Sequence, residues 1–271
     1  MQALRAILDP PRLTAIVDVG ANPIEDQPPY RRMLDEGLCT VVGIDPQVPA
    51  AINGLSRTLP YVISADGIDR VLHSAAAPGM TSTLPLNDAH ASAFPMMSEW
   101  GAVTERRIVQ TKRLDDVAEI EAIDCLKMDV QGAEIDVMRG GRQRLAKAVA
   151  VMTEVSFVTL YRGQPTFGEM DGELRHMGFI PHCFAAAKCW PIATATAVPN
   201  ASPHQLLEAD VVYVRDFTRS MGIDQWKHLA MIAHHVCGSF DLAMRCVESL
   251  AKMEAVAPSA PQQYRQVLEA M

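Results

Sequence analysis

Carboxylates and glycines at the ends of apolar runs are the groups in this chain best placed to do chemistry. In Asp124-Cys125-Leu126-Lys127-Met128-Asp129-Val130-Gln131-Gly132-Ala133-Glu134, a short apolar run delivers Asp129, Gly132 and Glu134 to one turn, and an amphipathic helix follows. Val17-Asp18-Val19-Gly20-Ala21-Asn22 and Val42-Gly43-Ile44-Asp45-Pro46 repeat the arrangement upstream. An α/β sheet builds a ligand site in this way, with polar groups at the carboxyl ends of buried strands. Three acid-tipped strands in order point to a nucleoside-binding crevice.

Each residue has a chemical reading and a plainer one. Gly20 lets backbone approach a ligand closely, or simply turns the chain. Asp18 can accept hydrogen bonds from an ammonium group. Asp45, 25 positions beyond Gly20, either grips a pair of ribose hydroxyls or holds the turn at Asp45-Pro46. Asp66 either meets an adenine amino group or is a turn aspartate before Gly67. Glu134 is early on a helix, where the dipole favours negative charge in any case. Asp129 and Glu154 stand on interior strands, and a carboxylate there needs a partner; for Glu154 that is substrate, or a cation such as Lys127. Tyr161-Arg162-Gly163-Gln164-Pro165 lines a substrate mouth or is a polar loop. His182-Cys183 and His234-His235 lack the spacing of a metal site, so no metal is expected.

The elements that must position these groups alternate. Strands are expected at 14–19, 40–44, 60–64, 108–111, 123–129, 148–156, 179–186 and 209–215. Helices are expected from Pro28 to Gly37 and over 47–57, 114–120, 133–140 and 167–177. A hairpin is expected about Ala65-Asp66-Gly67. Residues 75–105 are irregular, and a connection of that length is more often functional than structural. Such alternation gives a mainly parallel sheet covered on both faces. Beyond Phe217 no strand signal remains. Leu229, Ile232, Ala233 and Val236 share one helical face, and Leu242, Ala243, Cys246, Val247 and Leu250 a second. This helical hairpin resembles one tetratricopeptide unit. A single unit cannot bury its own face, so it is expected to dock on the sheet or on another copy of the chain. The division expected is 1–216 for the sheet domain and 217–271 for the helical extension.

The bulk numbers set the class. The chain has 271 residues and a formal charge of −8, and 49% of it is hydrophobic. Residues 217–271 hold five basic and five acidic residues, so the excess acid belongs to the first 216. No basic stripe is present, which argues against a nucleic-acid partner. No apolar run approaches a membrane span, and no signal-peptide core follows Met1, so a cytoplasmic protein without a membrane partner is expected. Cys39, Cys125, Cys183, Cys189, Cys237 and Cys246 form no CxxC pair and read as reduced thiols.

Together, Val17-Asp18-Val19-Gly20-Ala21-Asn22, Gly43-Ile44-Asp45-Pro46, Thr111-Lys112-Arg113-Leu114-Asp115-Asp116 and Leu126-Lys127-Met128-Asp129-Val130-Gln131-Gly132-Ala133-Glu134 resemble the FkbM family of S-adenosylmethionine-dependent methyltransferases. The resemblance covers about residues 14–215. It implies an α/β, Rossmann-like class I methyltransferase sheet of seven strands, mainly parallel with the last strand antiparallel, here carrying the C-terminal helical hairpin. It implies S-adenosyl-L-methionine as cofactor and S-adenosyl-L-homocysteine as product. Asp18, Gly20, Ala21 and Asn22 would line the methionine end, Asp45 and Pro46 the ribose, Ala65 and Asp66 the adenine, and Asp129, Val130 and Gln131 the sulfonium. Asp129 would thus stand at the reacting centre, with Glu154 or Glu134 as the base. The family is associated with O-methylation of sugars or secondary metabolites, so a small-molecule acceptor is implied. One departure is Pro23-Ile24, where the family usually has a second glycine.

Two rivals are weighed. A nicotinamide oxidoreductase would need G-x-G-x-x-G, and no further glycine follows Gly20 before Gly37. A non-catalytic module on the same fold, its helical tail recruiting a protein, fits the altered Pro23 segment. The tail equally suits a homodimer through the C-terminal helices.

Overall fold

The computed structural model describes residues 2–22, 27–196, 198 and 202–271. The Pro23-Ile24 departure lies outside them. The strands are β1 (Thr14–Val19), β2 (Cys39–Ile44), β3 (Ala51–Asn53), β4 (Ser56–Leu59), β5 (Val62–Ile63), β6 (Arg70–Ala75), β7 (Val103–Val109), β8 (Thr111–Lys112), β9 (Cys125–Met128), β10 (Ala150–Ser156), β11 (Phe179–Trp190) and β12 (Gln205–Arg215). The helices are α1 (Gln2–Leu8), α2 (Arg31–Asp35), α3 (Asp88–Ala91), α4 (Met97–Trp100), α5 (Glu134–Gly140), α6 (Arg142–Leu145), α7 (Phe167–His176), α8 (Ile223–His235), α9 (Phe240–Lys252) and α10 (Ala260–Glu269).

One sheet dominates, in the order β11-β12-β10-β9-β1-β2-β4-β3. From β10 to β4 the pairings are parallel, while β12 runs antiparallel to both β10 and β11. The α/β class and the antiparallel β12 match the expectation, but the strand count is eight rather than seven. The difference arises at 47–57, where a helix was expected and β3 and β4 form a hairpin. Asn53 pairs with Ser56 around a two-residue loop in which Gly54 has φ +58°. A glycine in that conformation suits a tight hairpin loop, and Pro46 and Pro49 disfavour helix in the residues before it. β4 therefore continues the main sheet beside β2, and the strand expected over 60–64 does not join that sheet. Val62 and Ile63 instead pair with Thr111 and Lys112 in a small sheet of their own.

The hairpin expected about Asp66-Gly67 does not form between neighbours. β6 pairs antiparallel with β7, so residues 76–102 make an insertion between two strands of one ribbon. Short helices α3 and α4 lie within it, and Ala91, Phe94 and Met97 bury themselves against Leu160, Tyr161 and Leu207.

Both faces of the main sheet are covered. On one, Val17, Val19, Ile44, Leu126 and Val151 pack against Val137 and Met138 of α5 and Met170 and Leu174 of α7. On the other, Ile16, Val41, Ala150, Met152, Val212 and Val214 pack against Leu229, Ile232 and Ala233 of α8, Ala243, Cys246, Val247 and Leu250 of α9, and Tyr264 of α10. The apolar faces read in the tail thus dock on the sheet of the same chain. Leu4 and Leu8 of α1, a helix outside the sequence expectation, join that cluster.

At the amino edge of the sheet, Asp124 takes a bidentate hold from Arg12 at 2.5 and 2.9 Å and a 2.7 Å hydrogen bond from the Ala15 N–H. His228 of α8 lies 3.1 Å from the Thr14 hydroxyl. Asp124 is therefore a structural staple, at the opposite end of β9 from Asp129.

Candidate active site

The parallel register sets the acid-tipped strand ends side by side. Asp18 is level with Gly43 of β2 and Lys127 of β9, and Val19 is level with Ile44 and Met128. Gly20, Asp45 and Asp129, each just past its strand, consequently meet at one edge. The Gly20 N–H donates to the Ile44 carbonyl at 2.8 Å, and the Asp129 N–H to that of Val19 at 2.9 Å. Gly20 has φ +86°, and a Cβ there would stand 1.8 Å from the Asp129 carbonyl oxygen. The glycine is required for β1 to leave the sheet beside the end of β9.

A cleft opens at this edge, lined by Val19, Gly20, Ile44, Asp45, Pro46, Gln47, Asp129, Val130 and Ala133. Tyr61, Val62, Ile63 and Leu72 wall it on one side, and Thr81, Ser82 and Thr83 of the insertion close another. It encloses about 70 Å³, and about 500 Å³ with its open mouth. Of the residues expected to bind a cofactor, the lining contains Gly20, Asp45, Pro46, Asp129 and Val130. It omits Asp18, Ala21, Asn22, Ala65, Asp66 and Gln131.

The omissions have physical causes. Asp18 is 2% exposed and committed. The Tyr30 hydroxyl donates to one oxygen at 2.5 Å and the Lys127 ammonium to the other at 3.1 Å. Burial works against the Lys127 charge, yet Asp18 and Asp129 beside it leave its pKa raised. Lys127 is thus the partner of Asp18, not of Glu154. Ala21 and Asn22 continue the turn, with the Asn22 N–H on the Gly20 carbonyl at 2.8 Å. Asp66 accepts from the Ile68 N–H at 3.0 Å and pairs bidentately with Arg70 at 2.9 Å, and these bonds lower its pKa. It is the turn aspartate, and Ala65 precedes it in the same turn. Tyr61, Val62 and Ile63, just before that turn, line the cleft.

Asp45 differs. It is buried, and one oxygen takes the Gln47 N–H at 2.7 Å. The other has no hydrogen bond among the described residues. Burial raises its pKa, against the Gln47 bond and with a contribution from Asp18. A buried carboxylate facing a cleft with one oxygen free suits a hydroxyl donor.

The Asp129–Glu134 turn is held from within. Glu134 is buried, and its Oε1 accepts from the Val130 N–H at 3.0 Å and the Gly132 N–H at 3.1 Å. Burial lifts its pKa to about 7, against those hydrogen bonds. Gln131 has φ +55° and Gly132 φ +100°. A non-glycine residue in the left-handed region costs of order 1–3 kcal/mol and is a feature of ligand-binding turns. Gln131 Nε2 donates to Asp129 Oδ1 at 2.8 Å.

Glu154 lies on β10, level with Asp210 of β12. Its partner is Lys188 of β11, which donates to Glu154 at 3.0 Å and to Glu208 at 2.9 Å. Burial first, then the charges of Glu208 and Asp129, raise the Glu154 pKa well above the usual carboxylate range, with Lys188 opposing. Lys188, Glu208 and Asp210 escaped the sequence reading because alternation along β11 and β12 does not reveal which strands become neighbours. Among the described residues no cluster of histidine, cysteine, aspartate or glutamate could hold a metal ion.

The sequence model of the methyltransferase FkbM domain matches residues 18–181, well over half of the chain. The chain belongs to this family. The chain also resembles the 2-O-methyltransferase NoeI of Sinorhizobium fredii (strain NBRC 101917 / NGR234), with 51% identity over 59 residues. Those residues are 21% of this chain and 24% of NoeI, so the match spans about a quarter of that curated relative. Two solved chains of Streptococcus pneumoniae Sp1610, described as a candidate tRNA (m1A22) methyltransferase, are similar at TM-scores of 0.31 and 0.29, the second in complex with S-adenosyl-L-methionine. Their identities are 10% and 9%, and each alignment covers 99% of both chains. A likeness of that order carries no argument about the site.

The matched domain is a methyltransferase domain, and the resemblance to its family implies S-adenosylmethionine as the group to be held. The cleft fits that group in kind. It offers apolar walls at Ile44, Val62, Ile63 and Leu72, an aromatic ring at Tyr61, a free carboxylate oxygen at Asp45, and the acidic Asp129 beside Gly20.

Proposed function

We propose that this FkbM-family enzyme transfers a methyl group from S-adenosylmethionine to a hydroxyl oxygen of a small acceptor, such as a sugar. The observation that carries the reading is the convergence of Gly20, Asp45 and Asp129 on one cleft, with Glu154 on the adjoining strand. Asp45 binds the ribose hydroxyls through its uncommitted oxygen, between Ile44 and Pro46. Gly20 and Asp129 with Val130 border the methionine and sulfonium end. S-adenosylmethionine supplies an already activated methyl group, so the protein's main work is alignment, which can contribute about 7–11 kcal/mol.

An acceptor hydroxyl must lose a proton, and Glu154 is the base in this reading. Its neighbours fit the role: Lys188 holds one oxygen, and the Asp129 carboxylate is near enough to raise its pKa. A base in a dry site with a raised pKa accepts a proton readily once ionised. Glu134 is less suited, because its Oε1 is spent on the Val130 and Gly132 N–H groups. The name of the partial relative, a 2-O-methyltransferase, supports oxygen as the methylated atom.

The chain divides in this reading into a methyltransferase domain, 1–216, and a helical extension, 217–271. A homodimer through outward faces of the C-terminal helices belongs to it, and mass in solution tests that part. A cytoplasmic location accords with six unpaired cysteines. No helix of the described residues is long and apolar enough to cross a membrane.

Calorimetry with S-adenosylhomocysteine, followed by a screen of small hydroxyl compounds with methyl-labelled donor, tests the whole. Product affinity with label on an oxygen supports it. Absence of affinity refutes the site, and label on nitrogen refutes the acceptor class.

A further inference from the structure

Gln131 poses a problem of orientation. Its left-handed backbone turns its side chain back to Asp129, where Nε2 donates to the carboxylate at 2.8 Å. A primary amide is nearly symmetric in shape, and rotated by half a turn it would set its own oxygen against that carboxylate. The Asp129 carboxylate, an acceptor, disfavours that rotation, and a second contact at the amide oxygen would fix the orientation and offset the backbone cost. The group in position to do so is the Tyr161 hydroxyl, 3.0 Å from Gln131 Oε1. A hydroxyl facing that atom as a donor requires it to be oxygen.

We propose that Tyr161 is a positioning residue for methyl transfer, holding the Asp129 carboxylate at the cofactor cleft through the side chain of Gln131. The inference rests on the reading that this cleft binds S-adenosylmethionine.

Three observations support it. Tyr161 is 3% exposed, and its ring packs in the cluster of Phe94, Met97, Leu160 and Leu207, so the hydroxyl has little freedom to leave. Burial first, then the Glu154, Glu208, Glu134 and Asp129 carboxylates, push its pKa up, which keeps the proton on the donor. Gln131 is also held by its main chain: the Ser82 hydroxyl donates to its carbonyl at 2.7 Å. The Tyr161 hydroxyl lies 3.1 Å from the Met80 carbonyl as well. Its single proton is shared between the insertion and the Asp129 turn, so the segment that closes the cleft and the acid that lines it are set by one group.

The test is a double-mutant cycle read by calorimetry with S-adenosylhomocysteine. Tyr161→Phe deletes the donor, and Gln131→Met keeps the side-chain length while removing both amide contacts. Each alone is expected to weaken affinity about tenfold, equivalent to about 1.4 kcal/mol. The double variant is expected to bind no more weakly than Gln131→Met alone, because one path has been cut twice. Losses that multiply to about a hundredfold would show Tyr161 supporting the fold independently and would overturn the proposal, as would unchanged affinity in Tyr161→Phe. Should Tyr161→Phe not fold, Gln131→Met decides by itself, and affinity unchanged there overturns the relay. Wild-type protein without affinity for S-adenosylhomocysteine is a different result: it removes the cofactor site, and the relay with it.

Discussion

The Lys127 ammonium stands 3.1 Å from Asp18 on the neighbouring strand, with the two Cα positions in register. The acid expected at the methionine end of the cofactor is therefore already neutralised from inside the protein. Asp18 is 3% exposed at its side chain and Lys127 24%. Removing one member of such a pair strands the other charge. Lys127→Met is expected to destabilise the fold by about 3 kcal/mol, measured by urea unfolding. Asp18→Asn is expected to change S-adenosylhomocysteine affinity less than Asp45→Ala does, and equal losses would return Asp18 to the cleft.

Binding and turnover should separate between two acids. Asp45→Ala is expected to weaken cofactor binding by about tenfold or more, the loss of a charge-assisted hydrogen bond of about 1.5–3 kcal/mol. Glu154→Gln is expected to keep binding and lose about 100-fold or more in kcat, the range of general-base catalysis. The base acts when ionised, and its pKa is raised by burial, by Glu208 and by Asp129. Activity should accordingly rise with pH through a shifted acid limb. Lys188→Met, which removes the opposing charge, should move that limb to higher pH, and a pH–rate profile unmoved by that change would unseat Glu154.

Gly20 and Gly163 offer a matched pair. Both have positive φ, +86° and +82°, but a Cβ at Gly163 meets nothing within 4 Å while one at Gly20 strikes the Asp129 carbonyl. Gly163→Ala should cost only the dihedral strain, about 1–2 kcal/mol. Gly20→Ala should cost more than about 3 kcal/mol, because backbone must move. Urea midpoints of the two variants check the difference, and equal midpoints would mean β1 and β9 part easily.

Glu134 gives a pH dependence of stability. Its folded pKa, about 7, is raised from the ordinary 4.5 by burial. Its contribution is then full below the unfolded value and is lost as pH rises through about 7. Glu134→Gln keeps an oxygen for the Val130 and Gly132 N–H groups and cannot ionise. Between about pH 5 and about pH 8 the wild type should lose about 3 kcal/mol more than the variant. Parallel stability curves in paired urea titrations would contradict this.

The parallel strands and their acidic tips were legible because buried parallel strands are near-continuous apolar runs, and β10 is buried along its whole length. The tail was legible from helical spacing, and its docking on the sheet follows from a face that no lone hairpin can bury. The helix expected over 47–57 is replaced by strands because the Asn53-Gly54 turn folds that stretch into a hairpin. Asp18 and Asp66 show what local pattern withholds: each has the right position, and each is taken by a partner, Lys127 in one case and Arg70 in the other. Lys127 is 109 positions from Asp18, a separation that only strand order closes. Tyr161 was visible as a loop residue, but its link to Gln131 depends on the path of the insertion.

Leu4 and Leu8 of the first helix share a cluster with Tyr264 of the last and with the strands between. During synthesis, Ile16, Val41, Met152 and Val212 lack the cover of α8, α9 and α10 until residues 223–269 have cleared the ribosome. Until then the nascent chain exposes a greasy surface of the kind that chaperones shield, and a shortfall of them in an expression host should appear as inclusion bodies.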